Sequence, residues 1–286
     1  MFENSRRRGF TLVEMMVVIG IIGIIMAMIF PAVSHVKESA GESRCASNLR
    51  QLSAATIAYM ATWDNALPQV AAFNPFAGED RIIGSLFGGK RGQLPMFGVD
   101  QIGADQRPLN KFLSGSSVID TNPADGIDED VPVFECPLDR GQPAQPPFLP
   151  EVSSMYDFVG TSYTLNDHAL TSENCWTLVP TKSPPCDPNA AVMNDQRPGG
   201  KMPRVDDPTK TWMLGDLPIY NYQEGGDRKQ RWHFNSVRCN LCFVDGHIGT
   251  GIDIAEGVQN TTKYYSFLPS PTWLDPVEVA RNCNCQ

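Results

Sequence analysis

Two cysteines and two histidines late in the chain have the types and spacing of a metal centre. Cys239, Cys242 and His247 form the pattern Cys-x2-Cys-x4-His, and His233 precedes them. Zinc takes thiolate sulfur and imidazole nitrogen as ligands in tetrahedral sites. The segment also alternates like a strand, in which residues three apart point to opposite faces, so one ion would reach both cysteines only at a bulge. Zinc is therefore an alternative to disulfides here, and the histidines are expected to be structural hydrogen-bonding groups rather than catalysts.

An acidic segment at residues 120–130 offers a second type of metal site. Calcium takes about six to eight oxygen ligands on a turning loop. Several of these ligands could come from Asp120, Asn122, Asp125, Asp128 and Asp130. The spacing is not that of an EF-hand, because Gly126 falls one place late. A solvated acidic loop and a calcium site both stay open, so no cofactor is certain and calcium is a candidate.

One carboxylate, Glu14, lies in an otherwise apolar stretch, Phe10–Val33, which follows Arg6–Arg8 and Gly9. About 20 apolar residues of helix cross a bilayer, so the stretch is predicted to span a membrane. Arginines before a span favour an N-terminus in the cytoplasm. A secretory signal peptide would have a shorter apolar core and a small-residue cleavage site after it. An acid inside a membrane is costly, so Glu14 is expected to have a function and a charged partner.

The order Arg8-Gly9-Phe10-Thr11-Leu12-Val13-Glu14, the apolar run and Pro31 together form a specific motif. The motif resembles the N-terminus of class III signal-peptide proteins, the type IV pilins and the pseudopilins of type II secretion. The resemblance implies that prepilin peptidase cuts after Gly9 and that Phe10 is then N-methylated. It implies that Glu14 contacts the terminal amine of a neighbouring subunit, and that Pro31 kinks the helix.

Later segments resemble a large bacterial family of pilin-like proteins with a tail signature. The matching residues, in chain order, are Cys45-x-x-Asn48-Leu49, Phe134-x-Cys136-Pro137, Ser162-Tyr163-x-x-Asn166, His233, Asn240 and Phe243-x-Asp245-Gly246-His247. Eleven residues separate His233 from Asp245. The family commonly has a shorter interval, so the turn between them is predicted to be longer here.

The elements that position these residues predict an α+β protein, and the resemblance implies a type IV pilin-like fold. Residues 1–9 are the leader peptide, 10–33 the transmembrane half of a long helix, 34–62 its amphipathic half, and 63–286 an exported β-rich domain with large loop insertions. In the amphipathic half, one stripe recurs at helical spacing: Cys45, Leu49, Leu52, Thr56, Tyr59 and Trp63. This half is predicted to be a spine on which a small antiparallel sheet packs.

After the helix, residues 64–132 are predicted to be an insertion with a short helix at 109–113. Strands are predicted at residues 131–137, 158–166 and 211–216. The final strands are predicted at 238–248 and 249–254, turning at Asp245-Gly246, because Asp-Gly suits hairpin turns.

Eight cysteines in an exported chain indicate disulfides, since the compartment is oxidising. The predicted pairs are Cys45 with Cys136, which joins spine to sheet, and Cys175 with Cys186, which closes a local loop. Cys239 and Cys242 are then predicted to pair with Cys283 and Cys285 and to hold the C-terminal tail.

Composition limits the function. The net charge of −9 makes nucleic acid an unexpected partner. The sequence contains no nucleophile-elbow, P-loop or dinucleotide-binding motif, so an enzyme is not predicted.

The first function class is a structural subunit, a pilin or pseudopilin, and the size of the chain favours a pseudopilin or minor subunit. The second is an exported binding or enzymatic module with pilin-type targeting. The expected partners of the first are other pilin subunits, prepilin peptidase, membrane lipid and an inner-membrane assembly platform. A single-pass inner-membrane protein with its N-terminus inside would then enter a periplasmic or extracellular filament.

Overall fold

The computed structural model describes residues 11–76, 78–113, 130–145, 149–166, 201–202, 205–222, 226–256 and 262–267. The protein divides into two compact units, residues 1–40 and residues 41–286. The first contains the N-terminal part of a long helix, and the second contains the rest of that helix together with two antiparallel sheets. The fold is α+β and pilin-like, as the sequence predicts.

The long helix α1 (Leu12–Thr62) contains 51 residues. Every residue from 11 to 37 is exposed, and large apolar side chains such as Leu12 and Phe30 are 75% and 79% exposed. Pro31 lies inside the helix, which continues on both sides of it. Nearby, the Ser34 hydroxyl donates to the carbonyl oxygen of Phe30 at 3.2 Å. The predicted bend at Pro31 stays a prediction.

The second part of α1 has one buried face, at the spacing that the sequence predicts. Buried positions recur at intervals of three or four residues, and a few positions adjacent to them in sequence are buried as well, as on one face of a helix. They are Gly41, Cys45, Ala46, Leu49, Leu52, Ser53, Ala55, Thr56 and Tyr59. The predicted stripe is wrong at its last member, Trp63, which is 47% exposed. The helix ends at Thr62, and the chain leaves helical geometry directly after Trp63, because Asp64 and Asn65 have positive φ angles.

The main sheet is a four-stranded antiparallel meander. Its strands lie in the order β3 (Tyr163–Leu165), β4 (Trp212–Asp216), β5 (Arg238–Phe243) and β6 (Ile248–Asp253). Side chains of β5 alternate between two hydrophobic cores, as they do on a pleated strand. Cys242 shares a core with Leu49 and Leu52 of α1, whereas Cys239 and Leu241 belong to a second core around Trp212.

The predictions for β4 and for the β5–β6 hairpin are confirmed, but the strand predicted at residues 131–137 is wrong. That segment contains a 3-10 turn, Pro132–Phe134. Pro132 and Pro137 have no N–H to donate to a sheet, and the turn buries Phe134 completely. The strand predicted at 158–166 is shorter than expected because helix α2 (Met155–Val159) occupies its start and ends at Gly160, whose φ is 90°.

The insertion after α1 contains a hairpin that the sequence did not predict, β1 (Ala71–Asn74) paired with β2 (Glu79–Ile82). The helix predicted at 109–113 is a 3-10 helix, Pro108–Phe112. Arg107 is fully buried beside it. Its guanidinium donates to the carbonyl oxygens of Ser85 at 3.1 Å, Gly88 at 2.9 Å and Val159 at 3.2 Å. A buried cation thus holds the insertion by satisfying backbone acceptors.

Candidate functional site

The exposed first part of α1 carries most of the exposed large apolar side chains of the described chain. Among the described residues, α1 is the helix with the length and composition to cross a membrane. Gly20 and Gly23 have open space where a Cβ would lie. Small residues on an apolar helix allow another helix to approach closely in lipid. The surface can therefore contact lipid or other helices.

Glu14 is the single acidic residue on this surface, and it closes the start of the helix. Its Oε2 accepts hydrogen bonds from the backbone N–H and the hydroxyl of Thr11, both at 2.8 Å. In return, the Glu14 N–H donates to Thr11 Oγ1 at 3.3 Å. This reciprocal arrangement is a capping box, which satisfies N–H groups that have no partner at a helix start. A cation that binds Glu14 would do so in competition with these contacts or beside them.

Several predicted site residues lie outside the described residues. They are Gly9 and Phe10 of the cleavage site, Asp120, Asn122, Asp125 and Asp128 of the calcium candidate, and Cys175, Cys186, Cys283 and Cys285. The last calcium candidate, Asp130, is described. Its Oδ1 accepts the hydroxyl of Tyr156 at 2.5 Å and lies 3.7 Å from the ammonium nitrogen of Lys90.

Cys45 of α1 and Cys136 form a disulfide with a Cα–Cα distance of 4.9 Å. The two cysteines are 0% and 1% exposed. Hydrogen bonds flank the bond on both sides: the Asn48 side-chain amide donates to the carbonyl oxygen of Glu135 at 2.8 Å, and the Tyr163 hydroxyl donates to that of Cys45 at 3.4 Å. One turn of α1 is thus attached both covalently and by hydrogen bonds.

The pairing predicted for Cys239 and Cys242 is wrong, because both are free, buried thiols. The Cys239 thiol donates to the carbonyl oxygen of Asp216 at 3.7 Å, and the Cys242 thiol to that of Phe243 at 3.5 Å. Burial raises the pKa of Cys239 well above its ordinary range, and the nearby Asp216 charge adds to this. Burial likewise raises the pKa of Cys242, to about 11. Both behave as small core residues.

The zinc site suggested by the Cys-x2-Cys-x4-His pattern is not assembled. Cys239 and Cys242 lie in different cores. His247 is at the surface, where its ring stacks on Phe243 with 4.3 Å between centroids and its Nδ1 lies 2.6 Å from Asp245 Oδ1. This contact fixes the turn between β5 and β6, which agrees with the structural role expected for His247.

The structure instead assembles a cluster from Cys136, Asp216 and His233. One sulfur, one carboxylate oxygen and one ring nitrogen all lie within 4.8 Å of one another. Asp216 Oδ2 lies 2.8 Å from His233 Nε2 and accepts the backbone N–H of Asn240 at 2.7 Å. Asp216 is the member that sequence reasoning missed. The available signal was an acid at the end of a strand whose other residues, 212–215, are apolar or glycine.

Ser162, Asn166 and Asn240, which belong to the motifs of the sequence signature, form buried hydrogen bonds in the body. Asp139 Oδ2 accepts the Ser162 hydroxyl at 2.7 Å. Burial raises the pKa of Asp139, although its hydrogen-bond donors oppose the shift. Asn166 donates to the carbonyl oxygens of Trp212 at 3.0 Å and Phe267 at 2.8 Å. The Asn240 side-chain oxygen accepts the backbone N–H of Gly251 at 3.0 Å. The signature therefore connects segments of the body.

The exposed apolar helix with its single acid suits a membrane-anchored protein, and the fold is pilin-like. Residues 4–30 match the family model of the prokaryotic N-terminal methylation motif. The chain thus carries the class III signal peptide of type IV pilins and pseudopilins. No curated protein and no solved structure matches the chain.

Proposed function

We propose that the protein is a structural subunit, a pilin or pseudopilin, of a type IV pilus-like or type II secretion pseudopilus filament. In this proposal prepilin peptidase removes residues 1–9 by cutting after Gly9, and the new N-terminal residue Phe10 is methylated. The mature chain waits in the inner membrane with its N-terminus at the cytoplasmic side. An assembly platform then moves it from lipid into a helical bundle of α1 helices.

The observation that carries the proposal is the exposure of the whole first part of α1, from residue 11 to residue 37. Apolar side chains exposed along an entire helix need lipid or other helices around them. Glu14 distinguishes between a plain anchor and an assembling helix. A carboxylate in an apolar bundle is tolerated when a cation pairs with it, and the Phe10 amine of a neighbouring subunit supplies that cation once the leader is removed.

The capping box gives Glu14 a defined conformation before assembly. The carboxylate is held over the first turn by Thr11 at 2.8 Å, close to where the chain enters the helix. An approaching amine meets an oriented acceptor, so less side-chain entropy is lost on pairing than for a freely rotating glutamate. Each subunit would then be set in axial register by one charge pair.

The test is Glu14→Gln in the full chain, expressed with its assembly system. Glutamine keeps the shape and still accepts hydrogen bonds from Thr11, but it removes the charge that pairs with an amine. Breaking one side of a buried pair costs about 3–5 kcal/mol, so we expect sheared filaments to fall more than about tenfold. Leader cleavage and membrane retention should be unchanged, because Gly9 and the apolar span are intact.

Glu38→Gln is the matched control, because it makes the same change on the same helix beyond the apolar stretch. It should assemble as the unmodified chain does. Intact mass spectrometry of the membrane-held protein should find loss of residues 1–9 and one added methyl group. Normal filament yield from Glu14→Gln would refute assembly through this acid, and an uncut chain would refute processing at Gly9.

A further inference from the structure

The cluster of Cys136, Asp216 and His233 has a second sulfur attached to it, because Cys136 is bonded to Cys45 in the disulfide. Cys45, Asp216 and His233 are 0% exposed and Cys136 is 1% exposed. The four come from α1, the segment after the 3-10 turn, the end of β4 and the residues before β5. Residues so distant in sequence are brought to one point by the whole fold, which fixes their positions.

Asp216 supplies an independent reason to expect a cation. Its Oδ2 has two contacts, to His233 and to the N–H of Asn240. Its Oδ1 is buried and has no hydrogen-bond partner among the described residues. A buried acceptor without a donor costs about 1–3 kcal/mol, and more when the group is charged. A metal ion at this oxygen would remove that cost.

We propose that Cys45, Cys136, Asp216 and His233 form a redox-gated site for a divalent metal ion, with zinc as the best-matched ion. In the oxidised chain the two sulfurs are bonded to each other and neither is a thiolate. A dithiol reductant breaks the S–S bond, donates two electrons and two protons, and leaves as its own disulfide. The metal ion then displaces the two thiol protons and takes two thiolates, one imidazole nitrogen and one carboxylate oxygen.

The donor set and the spacing favour zinc. Two sulfurs, one nitrogen and one oxygen make four ligands, the number that zinc takes in buried sites. Around tetrahedral zinc the ligand atoms lie about 3.3–3.8 Å apart, whereas the three atoms here lie within 4.8 Å. His233 Nε2 and Asp216 Oδ2 lie 2.8 Å apart. They must move apart by roughly half an ångström to reach the separation of two ligand atoms around tetrahedral zinc. The N–H of Asn240 already donates to the carboxylate, as outer-shell donors do at metal sites.

An Asp–His pair at the surface, in the turn between β5 and β6, provides a comparison for the buried pair of Asp216 and His233. Asp245 and His247 are also in contact, at 2.6 Å. Their side chains are 33% and 48% exposed, and hydration competes for any ion there. The proposal therefore assigns metal binding to the buried pair and not to its exposed counterpart.

The first experiment titrates cobalt(II) into the full chain in detergent micelles, without oxygen. The chain is reduced with a phosphine, which is then removed, and a competing chelator suppresses weak binding. One equivalent of cobalt should give the absorption bands of tetrahedral thiolate coordination, and the oxidised chain should give none. His233→Gln should weaken binding by more than about tenfold, whereas His247→Gln and Cys242→Ala should bind as the unmodified chain does.

The second experiment needs no variant, so it does not depend on any variant folding. The reduced chain is alkylated with and without zinc, and each cysteine is followed by mass spectrometry. Zinc should slow alkylation of Cys45 and Cys136 by more than about tenfold, and leave Cys239 and Cys242 unchanged. Absence of stoichiometric binding, equal binding by the oxidised chain, or zinc protection of other cysteines instead would overturn the proposal.

Discussion

The disulfide between Cys45 and Cys136 closes a loop that spans 91 residues of sequence. In the chain-entropy description, a crosslink of this loop length restricts the unfolded chain enough to stabilise the folded state by about 4.6 kcal/mol. Both cysteines are buried, so each change to alanine removes a sulfur atom and leaves a small cavity, which costs about 1 kcal/mol per site. We expect Cys45→Ala/Cys136→Ala to lower the free energy of unfolding by about 5–7 kcal/mol.

Urea unfolding of the full chain in detergent measures this loss, with a chelator present so that metal binding does not contribute. Trp212 and Trp232 are 0% exposed, so their fluorescence reports unfolding of the body. Cys242→Ala is the matched control, because it removes a buried sulfur without removing a crosslink, and it should cost only about 1–2 kcal/mol. A double variant within about 1 kcal/mol of the oxidised chain, or no less stable than the control, would refute the loop-closure argument.

Two further predictions concern the body. Gly160 has a φ of 90°, and a Cβ there would lie 1.9 Å from the carbonyl oxygen of Lys90. Gly160→Ala should therefore lower the free energy of unfolding in urea by more than about 2 kcal/mol. The control Gly226→Ala, with open space around the glycine, should cost less than half of that, and equal costs would contradict the steric argument. The pKa of Cys242 is raised by burial to about 11, so the folded state holds the proton more tightly than the unfolded state. The contribution of this thiol to the free energy of unfolding is complete below the ordinary thiol pKa and is lost as pH rises toward 11, by about 2–3 kcal/mol in all. In Cys242→Ala the free energy of unfolding should therefore fall less steeply between about pH 8.5 and 11, the range of this titration. An unchanged dependence of the free energy of unfolding on pH would argue against the raised pKa.

The sequence predicts well where the signal is local. The spacing of Leu49, Leu52 and Tyr59 identifies the buried face of α1, because a helix repeats its faces every few residues whatever lies opposite. Asp245-Gly246 identifies the β5–β6 turn, because glycine accepts the φ of 90° that the turn requires. The N-terminal motif is likewise a continuous stretch. Each of these signals lies within about twenty residues of sequence, so no knowledge of tertiary contacts is needed.

The errors arise where distant segments decide the outcome. Residues 131–137 alternate like a strand, but no strand among the described residues pairs with them, and burial of Phe134 in the core favours a turn. Cys239 and Cys242 look like crosslinking residues in an exported chain, yet the sheet places both thiols inside separate cores. No local sequence motif marked Asp216 as a site residue, because its partner, His233, lies seventeen residues further along the chain. Such contacts depend on strand order and register, which local pattern does not encode.

The disulfide and the side-chain hydrogen bonds that attach α1 to the segment around Cys136 lie within one turn of the helix. Within one turn of α1, Cys45 supplies a covalent bond and a carbonyl acceptor, and Asn48 supplies a donor. Their partners are Cys136, the hydroxyl of Tyr163 at 3.4 Å and the carbonyl oxygen of Glu135 at 2.8 Å. If α1 is packed in a filament, force on the body reaches the helix through this turn and through the apolar contacts of its buried face. The two hydrogen bonds are worth about 1 kcal/mol each, so the disulfide is the strongest single link within this turn. Reduction would then weaken the same junction at which the proposed metal site forms, and metal binding would rejoin Cys45 to Cys136 through the ion.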